Sequence, residues 1–282
     1  MLRQRLITVA IMLPLFLAAL FLLPNVYWGA LLMSVAVIGG WEWGRLANYP
    51  LRLRVFYCAL LTLTCIAILA WEHGAFGAQS ATGEARWFIR TPLGETLFIA
   101  AAVFWFALAP LWLYRRWQVR NGWLLGIVGW LILISFWQAM VWLQNAPLML
   151  FLSLGVVWLA DTAAYFAGRR FGKHKLAPAI SPGKTREGVY GAFVVVTLYW
   201  IVLVAIAPDK DPRLVIVLGC MLLMTVLSVV GDLFESWMKR VAGVKDSGGL
   251  LPGHGGMLDR IDGLCSAIPL AALYFAYASS GI

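Results

Sequence analysis

Residues Ser228–Gly263 read SVVGDLFESWMKRVAGVKDSGGLLPGHGGMLDRIDG, and this stretch decides how the rest of the chain is understood. It holds four Asp, one Glu, four Lys or Arg and one His, yet long apolar runs flank it on both sides. An ionisable group beside lipid costs roughly 3 kcal/mol or more to insert, so charge retained at a membrane boundary marks a functional site by default.

Outward from this stretch, the 282-residue chain is 62% hydrophobic and 12% charged, with a mean hydropathy of +0.83. Soluble domains carry about 25% charged residues, so the charged shell of a water-soluble globule is missing. The expected fold is all-α: a polytopic membrane protein, one unit over residues 1–282, in which 1–145 are mainly scaffold and 146–282 carry the polar motifs. A spanning helix needs about 20 mostly apolar residues. That criterion predicts nine spans, at 6–23, 26–46, 55–71, 96–113, 122–143, 148–167, 189–207, 213–230 and 263–278. The start, MLRQRLITVAIMLPLFLAALFLLPN, has the basic head and apolar run of a signal peptide but no small-x-small cleavage site. It is expected to be the first span.

Lys and Arg accumulate on the cytoplasmic side of short loops. With a cytoplasmic N-terminus and nine spans, eighteen of the 22 basic residues fall inside, and only Arg86, Arg90, Lys210 and Arg213 outside. This topology explains the net charge of +9 without a nucleic-acid partner, and no nucleic-acid-binding module is present. The 15 Trp residues are expected as interfacial anchors. Cys58, Cys65, Cys220 and Cys265 lie in apolar runs, unpaired by any metal-ligand spacing, and read as buried hydrophobes. Glu42, within WEW, is expected to pair with Arg45 three residues along.

Two polar clusters carry the chemistry, at the floor of a cavity expected to open to the cytosol. The first, ADTAAYFAGRRFGKHKLAPAISPGKTREG, sets Asp161 inside an apolar run, seven residues before Gly168, or roughly 10 Å of helix. SPGKT looks like a nucleotide P-loop but lacks the required upstream Gly, where Pro178 stands, and the leading strand. Gly183 permits close backbone approach, and Ser181, Lys184 and Thr185 offer hydroxyl and ammonium groups suited to phosphate oxygens. Arg169, Arg170, Lys173 and Lys175 are explained by topology.

In the second cluster, Asp232, Glu235, Ser236 and Lys239 share a helix face at i, i+3, i+4 and i+7, and Asp259 and Asp262 follow at i, i+3. Convergent carboxylates with few soft ligands favour a hard cation such as Mg²⁺, with substrate phosphates completing its shell. Asp232 and Asp259 are the first candidates as ligands, with Asp262 behind them; a second cation is also admitted. Glu235 and Asp246 are expected to pair with Lys239 and Lys245. Gly255 and Gly256 would let a ligand approach the backbone beside His254.

Ser236-Trp237-Met238-Lys239-Arg240, then Lys245-Asp246, then His254-Gly255-Gly256-x-x-Asp259-Arg260-x-Asp262 resembles the signature of the phosphatidate cytidylyltransferase (CDP-diacylglycerol synthase) family. The segment from Asp161 to Gly188 is similar to a second motif of that family, with Ala163 where Gly is common and Arg186 where Trp is common. The resemblance implies an integral enzyme of a bacterial inner (cytoplasmic) membrane, a homodimer, with its active site facing the cytoplasm. It would join CTP to phosphatidate with Mg²⁺, giving CDP-diacylglycerol and pyrophosphate. The attacking lipid phosphate is largely ionised near neutral pH because its second pKa is about 6, so catalysis is positioning and charge neutralisation. On this reading Lys184, Lys239 and Arg260 hold phosphates, and Asp161 and Asp262 support the metal site. A secondary transporter also fits many spans with embedded acids, but here the charge gathers at helix ends rather than at mid-membrane.

Overall fold

The computed structural model describes residues 2–80, 91–207, 214–249 and 255–278, with backbone only for 2–11 and 73–80. His254 and residues 81–90 of the connection between the third and fourth expected spans lie outside the described residues. Long apolar runs form long helices, with Pro14 inside α1 and Pro269 inside α10: α1 (Leu2–Leu22), α2 (Asn25–Leu46), α3 (Leu51–Ser80), α6 (Gly122–Leu143), α7 (Pro147–Phe171), α8 (Arg186–Ile206), α9 (Leu214–Val241) and α10 (Leu258–Ala278). Between α3 and α6 runs one interrupted rod: α4 (Pro92–Val103), a π-helical turn at Phe104–Leu108, and α5 (Ala109–Arg115). The turn precedes Pro110, which has no N–H to give to the carbonyl four residues back. Among the described residues seven helices, α3, the α4–α5 rod and α6 to α10, are long and apolar enough to cross a membrane.

Among the described residues the expected all-α class holds apart from one small hairpin, strands β1 (Lys175–Ala177) and β2 (Ser181–Thr185), paired antiparallel. Pro178 and Pro182, four residues apart, disfavour helix here, since each lacks the N–H that a helical turn needs. Several helices also outrun their expected ends. α9 continues to Val241 rather than stopping near Val230, and α10 begins at Leu258 rather than Gly263. Both extensions carry the charged residues, whose cost in an apolar window had hidden them from a hydropathy criterion.

α6 is the hub. Every residue from Ile132 to Leu143 is buried, the pattern of a helix enclosed on all sides, and it packs against α2, α3, α4 and α10. The Trp residues were expected at the membrane surface, and this is corrected for a large share of them. Trp28, Trp43, Trp105, Trp112, Trp137, Trp142 and Trp237 are buried. A buried indole N–H needs an acceptor. Trp28 donates to the Met140 carbonyl at 3.1 Å, Trp43 to Leu125 at 2.7 Å, and Trp137 to Gly29 at 3.0 Å, tying α2 to α6. The rings of Trp43, Phe104, Trp105 and Trp112 surround Phe234 on α9, with centroids 5.4–6.4 Å away. This cage fixes the polar end of α9.

Two buried acids tie the helices together here. Glu42 does not turn to Arg45 but accepts hydrogen bonds from Ser247, Met257 and Leu258, while Arg45 donates to the Asp246 carbonyl at 3.1 Å. Glu72 is buried in α3 and accepts from Gln138 and from Thr91. The cysteines are unbridged, with Cys65 and Cys265 buried and Cys58 and Cys220 half-buried.

Candidate active site

A cavity of about 660 Å³ opens at the ends of α7, α8, α9 and α10, with the hairpin at its rim. α7 presents Asp161, Ala164, Tyr165, Gly168 and, just past its end, Gly172. These fall at i, i+3, i+4, i+7 and i+11, a single stripe down one helical face. The small residues keep the stripe shallow, so the acid at its inner end is reached from the mouth.

The hairpin is held at four points. The Arg186 amide donates to the His174 carbonyl at 2.9 Å, and His174 Nδ1 stands 2.6 Å from Glu187 Oε1. Arg240 Nε donates to the Ile180 carbonyl at 3.3 Å, and Ile180 itself is buried. Lys184 Nζ lies 2.6 Å from Asp232 Oδ2. Anchored this way, the strand brings Ser181, Gly183, Lys184 and Thr185 to the cavity wall. Gly183 has open space where a side chain would stand. Thr185 Oγ1 accepts from the Gly188 amide at 3.2 Å, so this hydroxyl caps α8.

Asp161, Asp232 and Asp262 converge in the same cavity. Asp232 and Lys184 each act electrostatically on both Asp161 and Asp262, so Lys184 is the cation common to all three acids. Ser236 Oγ donates to Asp232 Oδ1 at 3.3 Å, Ser228 Oγ reaches Asp161 Oδ1 at 3.5 Å, and the Gly263 amide donates to Asp262 Oδ1 at 2.8 Å. Each carboxylate therefore retains acceptor capacity toward the cavity. Among the described residues no three acidic, His or Cys groups form a closed metal-binding group. The donor set is one of hard oxygens that a phosphate-bearing ligand could complete, as Mg²⁺ requires.

Asp259, a first candidate as metal ligand, has its carboxylate engaged by other residues of the protein. It reaches the cavity edge, but Lys239 Nζ lies 2.5 Å from its Oδ1, and Oδ2 accepts from the Ser247 amide at 3.1 Å and the Gly256 amide at 2.7 Å. Lys239 also pairs with buried Glu235, as expected for that acid. Lys239, expected on phosphate, lies between two carboxylates and is not among the residues lining the cavity. Four residues apart on α9, Lys239 could meet Glu235 or solvent; only the arrival of Asp259 from α10 decides.

Arg260 lines the cavity. Gly255 and Gly256 stand at the start of α10, next to Asp259, Gly255 in the left-handed region at φ +81°. Arg169 and Lys175, read from sequence as topology-setting charge, also line the cavity. Arg169 lies eight residues beyond Asp161, on the same helical face, and that spacing was the available signal.

A sequence model of the Cytidylyltransferase family matches residues 3–278. A protein of Pseudomonas aeruginosa called phosphatidate cytidylyltransferase is 39% identical over 98% of this chain and 98% of its own length. A Haemophilus influenzae protein of the same name is 33% identical over 98% of this chain and 99% of its own. One from Staphylococcus aureus is 47% identical over 118 residues, 41% of this chain and 44% of its own. Matched along almost its whole length, with the polar signature gathered around one cavity, the chain belongs to the cytidylyltransferase family.

Proposed function

We propose that the protein is a phosphatidate cytidylyltransferase, transferring the cytidylyl group of CTP to phosphatidate. An oxygen of the lipid phosphate attacks the α-phosphorus, the bond from that phosphorus to the oxygen bridging to the β-phosphate breaks, and pyrophosphate leaves. CDP-diacylglycerol is the other product. The observation that carries this reading is the convergence of Asp161, Asp232, Asp262 and Lys184 in one cavity at the ends of membrane helices. CTP is soluble and phosphatidate lies in the leaflet, and a cavity at the boundary reaches both.

The residues divide by what they touch. Lys184, Arg260, Arg169 and Lys175 supply positive charge for the triphosphate and the lipid headgroup, and Gly183 leaves room for a phosphate against the strand. Mg²⁺, held by Asp232 and Asp262 with support from Asp161, would supply charge neutralisation on the departing pyrophosphate. Asp259 and Lys239, whose polar atoms are engaged with each other and with the loop, hold α9 and α10 in register at the edge of the site. Bringing two polyanions in line within such a site is the main catalytic task.

The basic-residue distribution supports nine crossings of a bacterial inner membrane, with N-terminus and cavity cytoplasmic. The protein works as a homodimer of single-unit protomers. The test is purified protein in detergent with CTP and phosphatidate: CDP-diacylglycerol and pyrophosphate should appear in equal amounts, and Asp262→Asn should abolish both. Substrate flux in liposomes without CTP consumption would replace this reading with a transporter.

A further inference from the structure

Glu42 is nearly fully buried, 3% exposed, on α2 in the half of the chain that hydropathy marks as scaffold. Its carboxylate closes on the loop before α10. Oε1 accepts from the Met257 amide at 3.0 Å, and Oε2 from the Leu258 amide at 2.9 Å and from Ser247 Oγ at 2.9 Å. The first amides of a helix have no partner within it, and the positive end of its dipole favours an anion. Most helices meet this need with a local side chain. α10 takes its cap from another helix, more than 200 residues earlier in sequence.

Asp259 grips the same loop from the other side, through the Ser247 and Gly256 amides. Arg45, one turn beyond Glu42, adds a bond to the Asp246 carbonyl. Nothing but glycine fits between the two acids. A Cβ on Gly248 would lie 2.0 Å from Glu42 Oε1, and one on Gly256 would lie 2.1 Å from Ser247 Oγ and 2.5 Å from Glu42 Oε2. Glu42 is not among the residues lining the catalytic cavity, so its carboxylate acts through α10.

We infer that Glu42 is a positioning residue for turnover: by capping α10 it sets where Arg260 and Asp262 enter the cavity. This rests on the cytidylyltransferase reading given above. A misplacement of about 1 Å far from the chemistry can cost roughly a hundredfold in rate.

The test uses the full-length chain in detergent, as Glu42→Gln and as Gly248→Ala; the second keeps the acid but forces it off the loop. Both variants should lower kcat by about tenfold or more while the KM for CTP changes by less than about threefold. Hydrogen exchange should quicken in peptides covering residues 247–262 and stay unchanged in α6. Glu42→Asp, a methylene shorter, should not restore the rate. A parental kcat in either variant, once folded, overturns the inference, and so does loss of fold in both, which would make Glu42 a general stability residue. If the parent protein makes no CDP-lipid, the functional reading fails, whereas unchanged exchange at 247–262 in Glu42→Gln defeats the cap itself.

Discussion

Lys184 Nζ lies 2.6 Å from Asp232 Oδ2, and this pair closes the β2 strand onto α9. The contact joins the two polar clusters through residues 48 positions apart in the chain. It also leaves Lys184 close to Asp161 and Asp262, where an incoming triphosphate can take over part of its charge.

Removing that ammonium leaves three acids facing one another. Lys184→Met should cut kcat/KM for CTP by about a hundredfold or more, in the range of losing one electrostatic stabiliser of a transition state. Lys184→Arg should recover part of it. CDP-lipid formation against CTP concentration measures both.

Asp259 and Asp262, three residues apart, should fail in different ways. Asp259→Asn leaves Lys239 facing Glu235 alone and loosens the Ser247 and Gly256 amides, and breaking a buried pair costs about 3–5 kcal/mol. Its melting temperature in detergent should fall by several degrees. Asp262→Asn should lose activity while keeping the parental melting temperature, because it takes one charge from a cluster of acids. Equal destabilisation by both substitutions would remove the distinction.

The metal requirement should appear with substrate rather than with fold. A chelator should stop turnover, and Mg²⁺ should restore it, because Mg²⁺ uses one or two carboxylates and completes its shell on phosphate. The melting temperature without CTP should not move, since no closed cage is formed among the described residues. A large chelator-induced drop in melting temperature would argue for a structural ion instead.

Phe234 is the centre of the aromatic cage that holds α9. Phe234→Ala should destabilise by about 3–5 kcal/mol, as large-to-small changes of a buried ring do. Phe234→Leu should cost less. Thermal unfolding in detergent, with activity measured on the folded fraction, checks both.

Much of the site was legible in sequence because charge is costly in an apolar chain. Asp161, Asp232, Asp262 and Lys184 stood out on that ground, and they do share one cavity. Pairings between distant segments were not legible. Lys239 had one local partner four residues away, and nothing in the sequence announces that Asp259 meets it from α10. Glu42 had Arg45 nearby, while its true partners lie at Ser247, Met257 and Leu258. The Trp count carries no position, so an anchor could not be told from an indole donating to a carbonyl of a neighbouring helix. The hairpin was hidden because hydropathy reports the medium around a segment rather than its backbone, although Pro178 and Pro182, four residues apart, disfavour helix.

The cap from Glu42 onto α10 also orders the protein's birth. The ribosome makes Glu42 205 residues before Ser247 and 216 before Leu258, so the acid enters the bilayer's edge long before any of its partners exists. At roughly 5–20 residues per second that wait lasts on the order of 10 s or more. During it the carboxylate lacks all three of these partners, and the link from α2 to the loop before α10 forms only when the last helix is made. A chain cut short before α10 therefore leaves Glu42 without the Met257 and Leu258 amides.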